Sequence, residues 1–144
     1  MLKGIPALIS PELLKILCEM GHGDEIVIGD GNFPAASCAQ RLIRCDGLGV
    51  PEILDAVLSL FPLDTYVENP VSLMQVMPGD NAKTPIWDVY KKIVSEVDER
   101  GDKAFAEVER FEFYERAKKA YAVIATGETA IYANVMLQKG VVVE

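Results

Sequence analysis

Histidine is almost absent from this sequence: His22 is the only one in 144 residues. Cysteine is scarce too. Cys18, Cys38 and Cys45 are an odd number with no C-x-x-C spacing. That argues against a disulfide framework or a zinc site and for small buried thiols in a reducing compartment. Basic residues are outnumbered, with 14 Lys and Arg against 22 Asp and Glu and a formal net charge of −8. An acidic chain repels phosphate backbones and anionic lipid surfaces, so neither nucleic acid nor a membrane is an expected partner. No apolar run reaches membrane-spanning length, and Met1-Leu2-Lys3-Gly4-Ile5-Pro6 lacks a secretory apolar region. The expected location is therefore cytoplasmic. Phosphate loops are also missing. Gly127-Glu128-Thr129 lacks the lysine and spacing of a P-loop, and no Gly-x-Gly-x-x-Gly follows an expected strand.

What is present is a globular composition, half hydrophobic and a quarter charged. The length suits one domain, residues 1–144, with a core that needs no covalent staple. Ser10-Pro11-Glu12 opens a helix as cap, first-turn proline and dipole-matched acid, with Leu13, Leu14, Ile16, Leu17 and Met20 on its apolar face and Gly21 as its stop. Glu25–Ile28 reads as a buried strand, and 29–34 as a loop. Further strands are predicted over 41–45, 65–67, 71–77, 106–110, 121–126, 135–137 and 141–143. Helices are predicted over 51–60, over 86–99 behind a Thr84-Pro85 cap, and over 111–120. This alternation predicts an α/β fold with a mostly parallel sheet covered by helices on both faces.

The residues that carry chemistry cluster in two stretches. His22 sits between Gly21 and Gly23, just before the first strand, and Asp30 lies just beyond it. Strand ends and their loops are where α/β proteins bind ligands, so an imidazole and a carboxylate bracketing one strand form a candidate site. A lone histidine is more often structural than catalytic, but flanking glycines leave its ring accessible, and imidazole can serve as acid or base near neutral pH. No second His or Cys stands at ligand spacing, so a metal is not expected. Later, Arg110 precedes Phe111-Glu112-Phe113-Tyr114-Glu115-Arg116. Tyr132-Ala133-Asn134 offers a hydroxyl and an amide, groups suited to a neutral polyhydroxy ligand. The residues alone name no substrate.

Several ordered segments resemble one family. They are Leu8-Ile9-Ser10-Pro11-Glu12-Leu13-Leu14, Met20-Gly21-His22-Gly23-Asp24-Glu25-Ile26-Val27, Asn32-Phe33-Pro34, Arg44-Cys45-Asp46-Gly47-Leu48 and Leu63-Asp64-Thr65-Tyr66-Val67-Glu68. Glu109-Arg110-Phe111-Glu112-Phe113-Tyr114-Glu115-Arg116-Ala117, Ala125-Thr126-Gly127-Glu128-Thr129 and Tyr132-Ala133-Asn134 complete the set. They are similar to the RbsD/FucU sugar mutarotase/pyranase family, which unites L-fucose mutarotases with D-ribose pyranases. The Phe-Glu-Phe-Tyr-Glu-Arg block favours the fucose branch. The chain departs at Ala133, where the family often has glycine, and at Gly29 and Gly31, where alanine is commoner.

The resemblance implies an RbsD-like fold and interconversion of the α and β anomers of L-fucose, with no metal or organic cofactor. It implies His22 as proton donor. It implies Asp30, Arg110, Tyr132, Ala133 and Asn134 as sugar-binding residues, with Tyr132 as a further proton relay. It also implies a ring-shaped homo-oligomer, typically a decamer, with sites near subunit boundaries. The alternatives are a pyranase acting on D-ribose and a sugar-binding module without catalysis.

Overall fold

The computed structural model describes all 144 residues. Its centre is one six-stranded sheet. The strands are β1 (Glu25–Gly29), β2 (Leu42–Cys45), β3 (Val71–Met74), β4 (Phe105–Val108), β5 (Ala122–Thr126) and β6 (Val135–Gln138). Their order across the sheet is β2-β5-β1-β6-β3-β4. β5 runs parallel to β1 and β2, and β4 runs parallel to β3. β6 is antiparallel to both its neighbours, β1 and β3. Five strands therefore share one direction and one is reversed.

The helices are α1 (Pro11–Glu19), α2 (Ala35–Cys38), α3 (Val50–Leu58), α4 (Ile86–Ser95) and α5 (Arg110–Lys119), with a 3-10 turn over Gly101–Ala104. Side chains alternate between the faces of a strand, and the two faces bury different sets. Ile26, Ile28, Ile124 and Leu137 pack under Leu13, Leu17, Leu54 and Tyr90 from α1, α3 and α4. Val27, Val123 and Met136 meet Cys38, Phe113 and Ala117 from α2 and α5. Helices on both faces explain why β1 and β5 are near-continuous apolar runs.

Local signals decide the element boundaries. Ser10 Oγ accepts the Leu13 amide at 3.1 Å, as its cap position requires. The Glu109 carboxylate accepts the amides of Phe111 and Glu112, which fixes Arg110 as the first residue of α5. Thr84 offers only its backbone carbonyl, to Trp87 N–H, and α4 begins without a side-chain cap.

Several expectations are corrected. The helix α4 stops at Ser95, short of Glu99, because Asp98 turns the chain by accepting the Arg100 amide and guanidinium. Val89 and Val97, expected on its apolar stripe, are exposed. Residues 75–77 and 109–110 lie beyond their strands, residues 65–67 are a bend, and 141–143 pair with nothing. The four-residue α2 falls in a stretch left unassigned, since one turn shows no periodicity. Cys18, expected buried, lies on the exposed side of α1; Cys38 is buried and Cys45 half-buried.

Candidate active site

The parallel strands deliver their carboxyl ends to one edge, and an open cleft of ≈ 570 Å³, counting the solvent at its mouth, lies there. Asp30 follows the last residue of β1. Met74 ends β3. Arg110 begins α5, with Tyr114 one turn on. Tyr132 and Asn134 come from the segment that enters β6. Because β6 is reversed, its leading residues reach the same edge as the trailing residue of β1.

Asp30 is 6 % exposed and braces this edge. Its carboxylate accepts the Asn32 amide at 3.0 Å and the Ala133 amide at 3.2 Å, and its own amide donates to Asn134 Oδ1 at 2.8 Å. Burial raises the Asp30 pKa above the ordinary carboxylate value, against the pull of those backbone donors. With Oδ1 engaged, the Asn134 amide group keeps two N–H donors without a protein partner. Arg110 spends Nε on the Tyr114 hydroxyl at 3.1 Å, leaving its terminal nitrogens as donors. Ala133 is fully buried, and both its backbone groups are engaged, N–H to Asp30 and C=O to Tyr90. It frames the cleft from behind.

Tyr132 is the only non-glycine residue with a positive φ, +53°. That conformation costs on the order of 1–3 kcal/mol and persists where surroundings over-determine it. They do so here. Trp87 Nε1 donates to the Tyr132 carbonyl at 2.7 Å, and the Tyr90 hydroxyl donates to the Ala133 carbonyl at 2.7 Å. Tyr90 is fully buried, and burial pushes its phenol pKa far up, so it stays a neutral donor. The Tyr132 hydroxyl donates to Asp80 Oδ2 at 2.7 Å and accepts the Met77 amide at 3.3 Å.

His22 is not in this cleft. The strand that it and Asp30 bracket holds them apart, because they lie off opposite ends of β1. The four rises within that strand alone span about 13 Å. At its own end, His22 Nε2 lies 3.0 Å from Asp64 Oδ1, and its ring meets Tyr66 edge-on at 4.8 Å. Asp64 is 2 % exposed. Burial acts to raise its pKa, but bonds from Tyr66 N–H, His22 and Gln138 outweigh it and hold the carboxyl below its usual value. An ionised carboxylate only accepts, so Nε2 carries a hydrogen and Nδ1 is the nitrogen left to exchange a proton. The His22 side chain remains 38 % exposed. No group of three or more His, Cys, Asp or Glu residues is placed to hold a metal.

One chain thus brings together Asp30, Arg110, Tyr132, Ala133 and Asn134 and separates His22 from them. Sequence reasoning missed Asp80, Trp87 and Tyr90, which belong to the stretch least like any motif, and the pairing of Asp64 with His22 across 42 positions. Asp64 did stand within Leu63-Asp64-Thr65-Tyr66-Val67-Glu68, one of the segments that resemble the family, which was the one available signal.

Comparison with known proteins gives concordant matches. Residues 3–142 match the RbsD / FucU transport protein family. The human protein named fucose mutarotase is 57 % identical over 146 residues, covering 97 % of this chain and 94 % of its own. The crystal structure of FucU from Bifidobacterium longum superposes with a TM-score of 0.96 at 61 % identity, covering 98 % of this chain and all of that one. The fucose mutarotase from Streptococcus pneumoniae, crystallised in complex with L-fucose, gives 0.94 at 54 % identity, covering 99 % of this chain and all of that one.

Proposed function

The chain belongs to the RbsD / FucU transport protein family, and from that premise we infer that it has L-fucose mutarotase activity, interconverting the α and β anomers of the sugar. One observation carries the reading: Asp30, Arg110, Tyr132 and Asn134, brought from distant stretches of chain, share one open polar cleft. All 144 residues serve as one sugar-mutarotase domain.

Mutarotation needs the ring to open and to close on the other face of C1. An acid must protonate the ring oxygen as the C1–O5 bond breaks, and a base must take the anomeric hydroxyl proton. The cleft has the groups to hold a polyhydroxy ligand. Arg110 and the Asn134 amide donate, and the Asp30 carboxylate accepts. It lacks an imidazole. His22 of a neighbouring copy supplies one, with Nδ1 as proton donor and Asp64 fixing the ring.

Completion between copies fits the surface. Tyr66, Val142 and Val143 are exposed apolar residues around the His22 end, and Phe111 and Ile131 are exposed beside the cleft. Two different patches of one chain meeting head-to-tail make a heterologous contact, which closes into a ring when the rotation from copy to copy divides a full turn. The proposed assembly is a decamer working in the cytoplasm. No helix is long and apolar enough to cross a membrane.

The test is saturation-transfer NMR on L-fucose with His22→Ala. Loss of general acid help lowers exchange by about 10²–10⁴-fold, while sugar affinity stays within about twofold because the cleft keeps its hydrogen-bonding groups. Undiminished exchange removes His22 from the mechanism.

A further inference from the structure

Asp64 and Tyr66, the side chains that meet the His22 ring, come from one irregular stretch. Asp64 Oδ1 lies 3.0 Å from Nε2, and the Tyr66 ring stands edge-on to the imidazole. Residues 64–67 belong to no helix or strand. Main-chain bonding holds them on the leading side only, where the Asp64 amide donates to the Gln138 carbonyl at 3.0 Å. Further on, the Tyr66 amide donates to Asp64 Oδ1 at 2.9 Å, the same oxygen that faces His22. The bend therefore closes on the very carboxylate that it carries.

What grips the bend from outside is Arg100. Its guanidinium donates from Nη2 to the Asp64 carbonyl at 3.1 Å and from Nη1 to the Val67 carbonyl at 3.0 Å, one at each end. No other protein group donates to either carbonyl. The fork is itself fixed. Asp98 Oδ1 accepts the Arg100 amide at 3.0 Å and Nε at 2.9 Å, and Oδ2 accepts Nη2 at 2.7 Å. Four of the five guanidinium hydrogens are thus committed. The bond to Asp98 is the chief cause that raises the Arg100 pKa above its ordinary value, and the Asp64 charge adds to it.

Closing the turn after α4 needs Asp98 alone. The two remaining bonds reach back 36 and 33 positions, to the stretch that contacts the only imidazole. We propose that Arg100 is a positioning residue for His22: by pinning both ends of the 64–67 bend it seats Asp64 on Nε2 and keeps Nδ1 free for proton exchange. The proposal rests on His22 being the proton donor of the mutarotase reading above. Which ring nitrogen of a neutral imidazole carries the hydrogen is set by the bond the other makes. An imidazole whose partner wanders samples both tautomers, and only one of them leaves Nδ1 unprotonated and ready. Lysine is no substitute at position 100, since an ammonium is a point charge without a planar fork.

Arg100→Met removes the fork. Arg100→Lys also removes it but keeps a cation beside Asp98, so the carboxylate is not stranded and the fold is spared. Because the sequence has one histidine, magic-angle-spinning NMR of protein carrying isotope-labelled histidine reads one ring, whatever the size of the assembly. At alkaline pH the unchanged chain should show the Nε2–H tautomer alone, and both variants a mixture. Saturation-transfer NMR on L-fucose should show turnover at saturating sugar slowed at least about tenfold in both. The half-saturating concentration should stay within about twofold, since the cleft lies off the other end of β1. Added to His22→Ala, Arg100→Met should cost no further turnover, because the two act as one unit. An identical tautomer pattern in the unchanged chain and in either variant overturns the proposal. So does an equal loss of turnover and affinity, which a general loosening of the fold produces. Full exchange by His22→Ala overturns both readings; full exchange by either Arg100 variant, with His22→Ala impaired, overturns only this one.

Discussion

Mixing two inactive variants should restore activity. A general acid must come within about 3 Å of the atom it protonates, whereas β1 alone inserts about 13 Å between the His22 end and the Asp30 end of one chain. If His22 acts on a sugar bound in the cleft, as proposed, each working centre draws its imidazole from one copy and its cleft from another. His22→Ala spoils the first contribution and leaves the cleft intact. Arg110→Ala spoils the second: losing charge-assisted hydrogen bonds worth about 1.5–3 kcal/mol lowers turnover at limiting sugar about ten- to a hundredfold. Arg110 is a partly exposed first-turn residue, so its truncation spares the fold. In an assembly formed from equal amounts of the two, a centre is intact when its imidazole comes from an Arg110→Ala copy and its cleft from a His22→Ala copy. Random mixing makes about one quarter of centres intact, whatever the ring size. If each centre were built from one chain, no centre would be intact, and the mixture would show only the average of the two parents, below about a twentieth of full activity. Differently tagged variants, co-expressed and purified through both tags, can be compared by saturation-transfer NMR at limiting L-fucose. Mixed assemblies no more active than the mean of their parents would refute the placement of His22 across a subunit boundary.

Two other outcomes test the supports of the site. Tyr90→Phe strips the buried Ala133 carbonyl of its donor and should cost about 1–3 kcal/mol of stability, read from urea midpoints, together with a slower exchange as Tyr132 loses its brace. A midpoint equal to that of the unchanged chain would show the hydroxyl to be idle. Asp64 has a folded pKa below its ordinary value, so the stability it adds is full above the unfolded value of about 3.9 and drains away as pH falls through the folded value. The stability gap between the unchanged chain and Asp64→Asn should accordingly narrow from about pH 6 to about pH 3; a gap constant across that range contradicts the assignment.

Much of the fold was legible because its signals are local. The Ser10-Pro11 start, the apolar runs of β1 and β5 and the alternation of elements all depend on neighbours in sequence. The same reasoning failed where partners decide. Val141–Val143 has the composition of a strand, but it follows β6, which is already flanked by β1 and β3, and it pairs with nothing. The apolar stripe of α4 implied four more residues of helix, yet Asp98 and Arg100 end the run by turning the backbone.

The cleft was partly visible in Asp30 and in Tyr132-Ala133-Asn134, since strand ends and the loops beside them are where α/β proteins bind ligands. That His22 and Asp30 stand apart within one chain was not legible, because a strand has two ends and proximity in sequence says nothing across it. Asp80, Trp87 and Tyr90 could not be found at all. Their roles are hydrogen bonds to a phenol and to two carbonyls 45 or so positions away, and nothing in a one-dimensional pattern records them.

The reversed strand has a geometric consequence. At one end of β6 Asn134 is tied to the main chain of Asp30; at the other the Lys139 carbonyl receives the amide of Gly23, beside His22, and Gln138 reaches Asp64. Four residues thus act as a gauge block whose length sets how far the Asp30 cleft sits from His22. In the proposed ring, that gauge would set the stride from one cleft to the next. Lengthening it by a residue pair would keep every side chain on its own face and still throw the circle out of step.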